Sequence, residues 1–126
     1  MMSNGGGNAG YEYAPWYNEE YRNSITSVII EEGISNIGKY TFYQCNNIVS
    51  IIIPGSITDI SSGATFTGCR KITKIINHRA IPQTIDSSVF EDIDKSNCTL
   101  IVPAGSENVY GAAEGWKDFV DIKPIQ

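Results

Sequence analysis

Apolar positions recur along this chain in a six-residue phrase, apolar-x-x-apolar-x-apolar, repeated at nearly constant spacing. Ile25-Thr26-Ser27-Val28-Ile29-Ile30 aligns with Ile48-Val49-Ser50-Ile51-Ile52-Ile53 and with Ile72-Thr73-Lys74-Ile75-Ile76-Asn77, where asparagine takes the last place. Alternation at the end of each phrase is a strand pattern, because successive side chains of a strand point to opposite faces. A second phrase follows, in which Ile34-Ser35-Asn36-Ile37-Gly38 matches Ile57-Thr58-Asp59-Ile60-Ser61. A third pairs Thr41-Phe42-Tyr43-Gln44-Cys45 with Thr65-Phe66-Thr67-Gly68-Cys69. The second repeat carries one extra residue, near Ser61-Ser62-Gly63.

Phe42, Phe66 and Phe90 lie 24 residues apart, twice in succession, and a period of roughly 20 to 29 residues is that of leucine-rich repeats. The third repeat decays. Ile81-Pro82-Gln83-Thr84-Ile85 stands where the second phrase is due, and Val89-Phe90-Glu91-Asp92-Ile93 puts Ile93 where cysteine stood. A terminal repeat is expected to be atypical. Leu100-Ile101-Val102-Pro103 aligns with Ile51-Ile52-Ile53-Pro54 as a fourth strand. Beyond it, Ser106 is placed to cap a short helix through Val109, Ala112 and Ala113 to Gly115. Trp116, Phe119 and Ile122 are suited to cover the open end of the core, and a last short strand is expected near Asp121 to Lys123.

The predicted fold is a leucine-rich-repeat solenoid, mainly β with short helical or 3-10 turns, a parallel sheet on one face, and N- and C-terminal caps. The expected division is a flexible Gly-rich tail over 1–10, an aromatic N-terminal cap over 11–24, three leucine-rich repeats over 25–97, and the last strand with the C-terminal cap over 98–126. Tyr13, Trp16, Tyr17 and Tyr21 supply the aromatic character of the first cap.

The segment Ile48 to Cys69, with Ser-Ile-Thr-Asp-Ile followed by a Thr-Phe-x-Gly-Cys block, resembles the repeats of BspA-like surface proteins. Ala14-Pro15-Trp16-Tyr17 is similar to that family's N-terminal cap. Val102-Pro103-Ala104-Gly105-Ser106, continuing to Gly115-Trp116-Lys117-Asp118-Phe119, is similar to its C-terminal cap. The resemblance implies an exported bacterial protein, with relatives in some parasitic protists, whose role is recognition or cell adhesion through binding of host proteins or cells. Fold alone does not set that function.

Composition narrows the picture. At 126 residues the chain suits one domain. Nine basic residues are scattered through a chain of net charge −5, so the electrostatic stripe that drives binding to nucleic acid is missing. No apolar run approaches the roughly 18 residues of a membrane span, and the first residues carry neither a basic start nor an apolar signal core. No membrane insertion is expected. Secretion or surface display is expected through a longer exported parent chain.

The chemistry-bearing residues point away from catalysis. His78 is the single histidine, beside Arg79, and no Ser or Cys with a supporting carboxylate is recognisable near it. Asp92-x-Asp94-x-Ser96 begins like a calcium loop, but Asn97 and Pro103 stand where the loop glycine and the closing glutamate belong. No catalytic residue, metal or cofactor is assigned. Asn97-Cys98-Thr99 fits an N-glycosylation acceptor, relevant only in an exported eukaryotic protein. Cys45 and Cys69 occupy equivalent positions one coil apart, a spacing within reach of a disulfide, while parallel stacking and Ile93 in the next coil favour buried free thiols. Cys98 is expected as a third packed thiol.

Alternation sends Val28, Ile30, Ile51, Ile53, Ile75, Leu100 and Val102 into the core and leaves Ile29, Ile52, Ile76 and Ile101 on the open face, flanked by Ser27, Ser50, Lys74 and Thr99. At about 4.8 Å per strand the isoleucines form one stripe roughly 15 Å long. These eight residues are the candidate partner-binding site. The expected function is a non-catalytic protein-binding or adhesion module for a host or bacterial surface protein. The alternatives are a structural subunit that self-associates through the stripe or its N-terminal tail, and a stripe that only stabilises the sheet.

Overall fold

The computed structural model describes residues 23–60 and 65–126. The expected tail over 1–10, nearly all of the expected aromatic cap, and the extra residue near Ser61-Ser62-Gly63 lie outside the described residues.

Each six-residue phrase forms a short strand. β1 (Ser27–Ile29), β3 (Ser50–Ile53), β5 (Lys74–Asn77), β6 (Thr99–Val102) and β7 (Asp121–Pro124) build one sheet in the order β1-β3-β5-β6-β7, every pairing parallel. The register keeps equivalent residues side by side: Val28 meets Ile51, which meets Ile75, which meets Leu100. The second phrase supplies β2 (Asn36–Ile37) and β4 (Asp59–Ile60), a two-stranded parallel sheet on another side of the coil. Parallel strands need a long crossover between them, and here each crossover is the remainder of one coil.

The third side is held by bonds between turns. Phe42 and Gln44 donate their amides to the carbonyls of Thr65 and Thr67, and Phe66 and Gly68 repeat this one coil later to Val89 and Glu91. The backbone donors of successive coils are thus satisfied without a regular strand. Inside, Phe42, Phe66 and Phe90 stack with centroids 5.4 Å apart and planes within 7° of parallel. Offset stacking of such rings contributes about 0.5 to 1.5 kcal/mol per pair beyond burial. Cys45, Cys69 and Ile93 form a second buried file, and Ile48, Ile72 and Cys98 are buried in turn.

The same turn needs a left-handed residue in every coil. Gln44, Gly68 and Asp92 have φ of 55°, 83° and 67°. Only Gly68 adopts this freely, since a side chain with positive φ costs roughly 1 to 2 kcal/mol.

The stack closes at its C-terminal end with a helix, α1 (Glu107–Ala112), and a tight turn into β7. Trp116 and Phe119, both buried, lie against Phe90 at centroid distances of 5.2 and 5.4 Å, at interplanar angles of 58° and 82°. Their tilt breaks the parallel stack and so ends it. Ser106 precedes the helix as expected but does not cap it through its side chain. Its backbone is already helical, and its hydroxyl donates instead to the carbonyl of Ala80 at 2.8 Å. Gly115 holds the turn at φ of +84°, where a Cβ would lie 2.5 Å from Ile85 Cγ1 and 3.1 Å from the Asp86 carbonyl.

The third coil departs from the sequence pattern. Ile81, expected in the apolar second phrase, is 69% exposed, while Gln83 is buried and Ile85 turns into the core. Pro82 offers no amide for a strand bond. Gln83 fills the place with its own amide, donating to the Ile57 carbonyl at 3.0 Å and accepting from Asn77 Nδ2 at 2.8 Å. Asn77 Oδ1 in turn accepts the Arg79 amide.

Two substitutions test this account. Gly115→Ala should cost about 2 to 4 kcal/mol, from backbone strain and overpacking against Ile85. Urea unfolding of the purified variant measures it, and a loss under about 1 kcal/mol would mean the turn relaxes easily. Gln44→Gly should raise stability by roughly 0.5 to 1 kcal/mol by relieving the left-handed turn, partly offset by unfolded-chain entropy. A lower melting temperature would contradict it.

Candidate functional site

The open face of the five-stranded sheet carries all eight candidate residues. Ser27, Ser50, Lys74 and Thr99 are register partners across β1, β3, β5 and β6, and the row ends on Asp121 of β7. Ile29, Ile52, Ile76 and Ile101 form the neighbouring row, which ends on Lys123. Ile29 is 71% exposed, whereas Ile52, Ile76 and Ile101 are half-buried. Each of those three has a residue of the same row on both sides, and the four isoleucines shade one another. Ser27 and Lys74 are exposed, Ser50 and Thr99 half-buried.

Sequence reasoning did not extend the rows to β7. Thr99 Oγ1 donates to Asp121 Oδ2 at 2.9 Å, and Lys123 Nζ lies 3.9 Å from the same oxygen. The face therefore closes at one end in a hydroxyl, carboxylate and ammonium chain. β7 is an edge strand carrying Lys123 and Pro124, two residue types that discourage pairing with another strand. The alternation in Asp121, Ile122 and Lys123 was the available signal, since Ile122 alone is apolar.

Among the described residues no catalytic geometry assembles around the other candidates. His78 is exposed just beyond β5, and its amide donates to the Ile53 carbonyl. Asp94 Oδ1 accepts from the amide and hydroxyl of Ser96, capping the 3-10 turn Lys95–Asn97, and Asp92 pairs with Arg70 at 3.8 Å. Both carboxylates are thus engaged locally. Among the described residues no three His, Cys, Asp or Glu side chains cluster. A shallow cleft between Pro82, Ile85, Val109 and Ala113 contains one charged group, Glu114.

The three cysteines are buried and unbridged. Cys69 lies against the Phe42 carbonyl, its Sγ at 3.0 Å. Burial, with the neighbouring Cys45 adding to it, pushes the Cys69 thiol from about 9 up to about 12. Burial likewise pushes Cys98 up to about 12, helped by Asp94 and opposed by Lys95. Tyr110 is raised by burial, with Arg79 opposing, and its hydroxyl donates to the Arg79 carbonyl at 2.6 Å. Asp86 is lowered by its hydrogen bonds from Ser88.

Stacked parallel coils, a registered sheet and turns in place of a second full sheet define a leucine-rich-repeat solenoid with an open sheet face. The sequence matches the BspA type leucine-rich repeat region over residues 18–110, in six copies. The chain belongs to that family. Comparison with curated proteins and with solved structures yields no match. Solenoids of this kind are typically non-catalytic binding scaffolds, their repeats commonly mediate protein interactions, and the family is typical of surface or secreted proteins. Among the described residues no helix is long and apolar enough to cross a membrane.

Because Cys69 and Cys98 hold their protons more tightly in the fold than the unfolded chain's thiols do, their contribution is intact below about pH 9 and is lost between about 9 and 12. Each thiol then lowers stability as pH rises, because the unfolded chain releases a proton that the fold retains. Urea midpoints should be flat near neutrality and fall as pH rises through that window, less steeply in a Cys69→Ala, Cys98→Ala variant. Native protein should resist thiol labelling at about pH 8, and labelling at the unfolded rate would refute the buried thiols.

Proposed function

We propose that this chain is a non-catalytic protein-binding module of a bacterial surface or secreted protein, serving adhesion or recognition through the open face of its sheet. The reading rests on one observation: four isoleucines in register form an apolar stripe on that face, bordered by Ser27, Ser50, Lys74 and Thr99. Contiguous exposed apolar surface commonly marks an interface, and β-branched residues in a sheet supply it with little χ1 freedom to lose. The family's association with surface proteins supports the location.

A second reading, self-association through the same stripe, is favoured by the 71% exposure of Ile29 at the β1 end. Light scattering over a wide concentration range separates the two. We expect a monomer in both the parent chain and an Ile29→Ser, Ile52→Thr, Ile76→Thr variant. Binding to immobilised host-cell surface proteins should be present in the parent and lost in the variant at unchanged circular dichroism. An oligomer that the variant abolishes would instead make the stripe an assembly interface. Host-protein binding that survives the three substitutions would move the site elsewhere.

A further inference from the structure

Charge on the open face is distributed unevenly. The charged residues in the two registered rows are Lys74, Asp121 and Lys123. Asp121 is engaged at one end by the Thr99 hydroxyl and the Lys123 ammonium. Lys74, exposed at the middle strand, forms no ion pair among the described residues. Of its two row neighbours, Thr99 has committed its hydroxyl to Asp121, while the Ser50 hydroxyl has no hydrogen-bond partner among the described residues. Lys74 and Ser50 thus present an uncommitted ammonium and an uncommitted hydroxyl on adjacent strands, beside Ile52 and Ile76.

Building on the binding reading above, we propose that the face receives an extended acidic segment of a foreign protein chain, its carboxylate on Lys74 and Ser50 and its apolar side chains on Ile52 and Ile76. Lys74 and Ile76 are two residues apart on one strand and share its open face, about 7 Å along the strand. An extended ligand matches that distance when its acidic and apolar residues are also two apart. A second copy of this chain fits poorly. An isologous contact sets the same patch against itself, and the single carboxylate in the rows is already paired, so two Lys74 ammoniums would be buried without a counter-charge.

The test is selection of a random twelve-residue peptide display library against the purified chain, followed by affinity measurement of the enriched peptides. Enrichment of an acid-x-apolar spacing is expected. The selected peptides should bind Lys74→Glu roughly tenfold or more weakly, Lys74→Arg nearly as well, and more weakly as salt rises. Replacing the peptide's acid by lysine should restore binding to Lys74→Glu. Peptides lost on Ile52→Thr, Ile76→Thr but indifferent to Lys74→Glu would overturn the acidic-partner proposal and keep the face as the binding site. Selected peptides indifferent to all of these substitutions would overturn both. A dimer that competes with peptide and dissolves in the isoleucine variant would identify the occupant as a second copy, against the proposal.

Discussion

Stacking in register is the constraint on which every other feature of this protein depends. Each coil lies one strand spacing from the next, so a residue's core neighbours are its own equivalents 23 to 25 positions away in sequence. A position that faces the core therefore has to hold a shape that can sit on itself. Phenylalanine does so by offset stacking at 5.4 Å, isoleucine by the flat side of a β-branched chain, and cysteine as a small apolar group. The left-handed turn obeys the same rule. Once one coil turns at Gln44, its neighbours turn at Gly68 and Asp92, whatever their own preference.

An open stack must also be ended, and the C-terminal end does this in two ways. On the core side, tilted Trp116 and Phe119 replace the next phenylalanine, and three side chains of the cap bond to backbone carbonyls of the third coil. Ser106 reaches Ala80, Tyr110 reaches Arg79, and Trp116 Nε1 reaches Gln83 at 2.9 Å. This explains the departures in that coil. Asn77 and Gln83 are polar because the loop they pin has a non-repeating cap to receive. Burying them unpaired would cost about 1 to 3 kcal/mol for each lost partner. On the sheet side, Lys123 and Pro124 close the edge.

Among the described residues the outer face of the sheet stays open, because the crossovers return behind the sheet. Each inner strand is paired on both sides, and two outward residues per coil write the chemistry of the face. The outward residues can therefore change coil by coil without disturbing the core, since outward and inward residues alternate. Lys74 among hydroxyls and isoleucines is such a coil-specific feature.

The sequence by itself determined the repeat, the parallel sheet and the inward or outward sense of the strand residues, because a two-residue alternation repeated every coil sends the same alternate positions of each strand into the core. It also placed Ile29, Ile52, Ile76 and Ile101, with Ser27, Ser50, Lys74 and Thr99, on one open face. It misplaced Ile81 and assigned Ser106 a capping bond, because both lie where coil and cap meet and the periodic rule no longer holds. Only the tertiary structure decided that Gln83 turns inward, that Ser106 bonds across to Ala80, and that Thr99, Asp121 and Lys123 are joined. The bonds from Gln83 to Ile57, from Thr99 to Asp121 and from Ser106 to Ala80 connect residues 22 to 26 positions apart, and hydrogen bonds between non-repeating side chains leave no periodic trace in the chain.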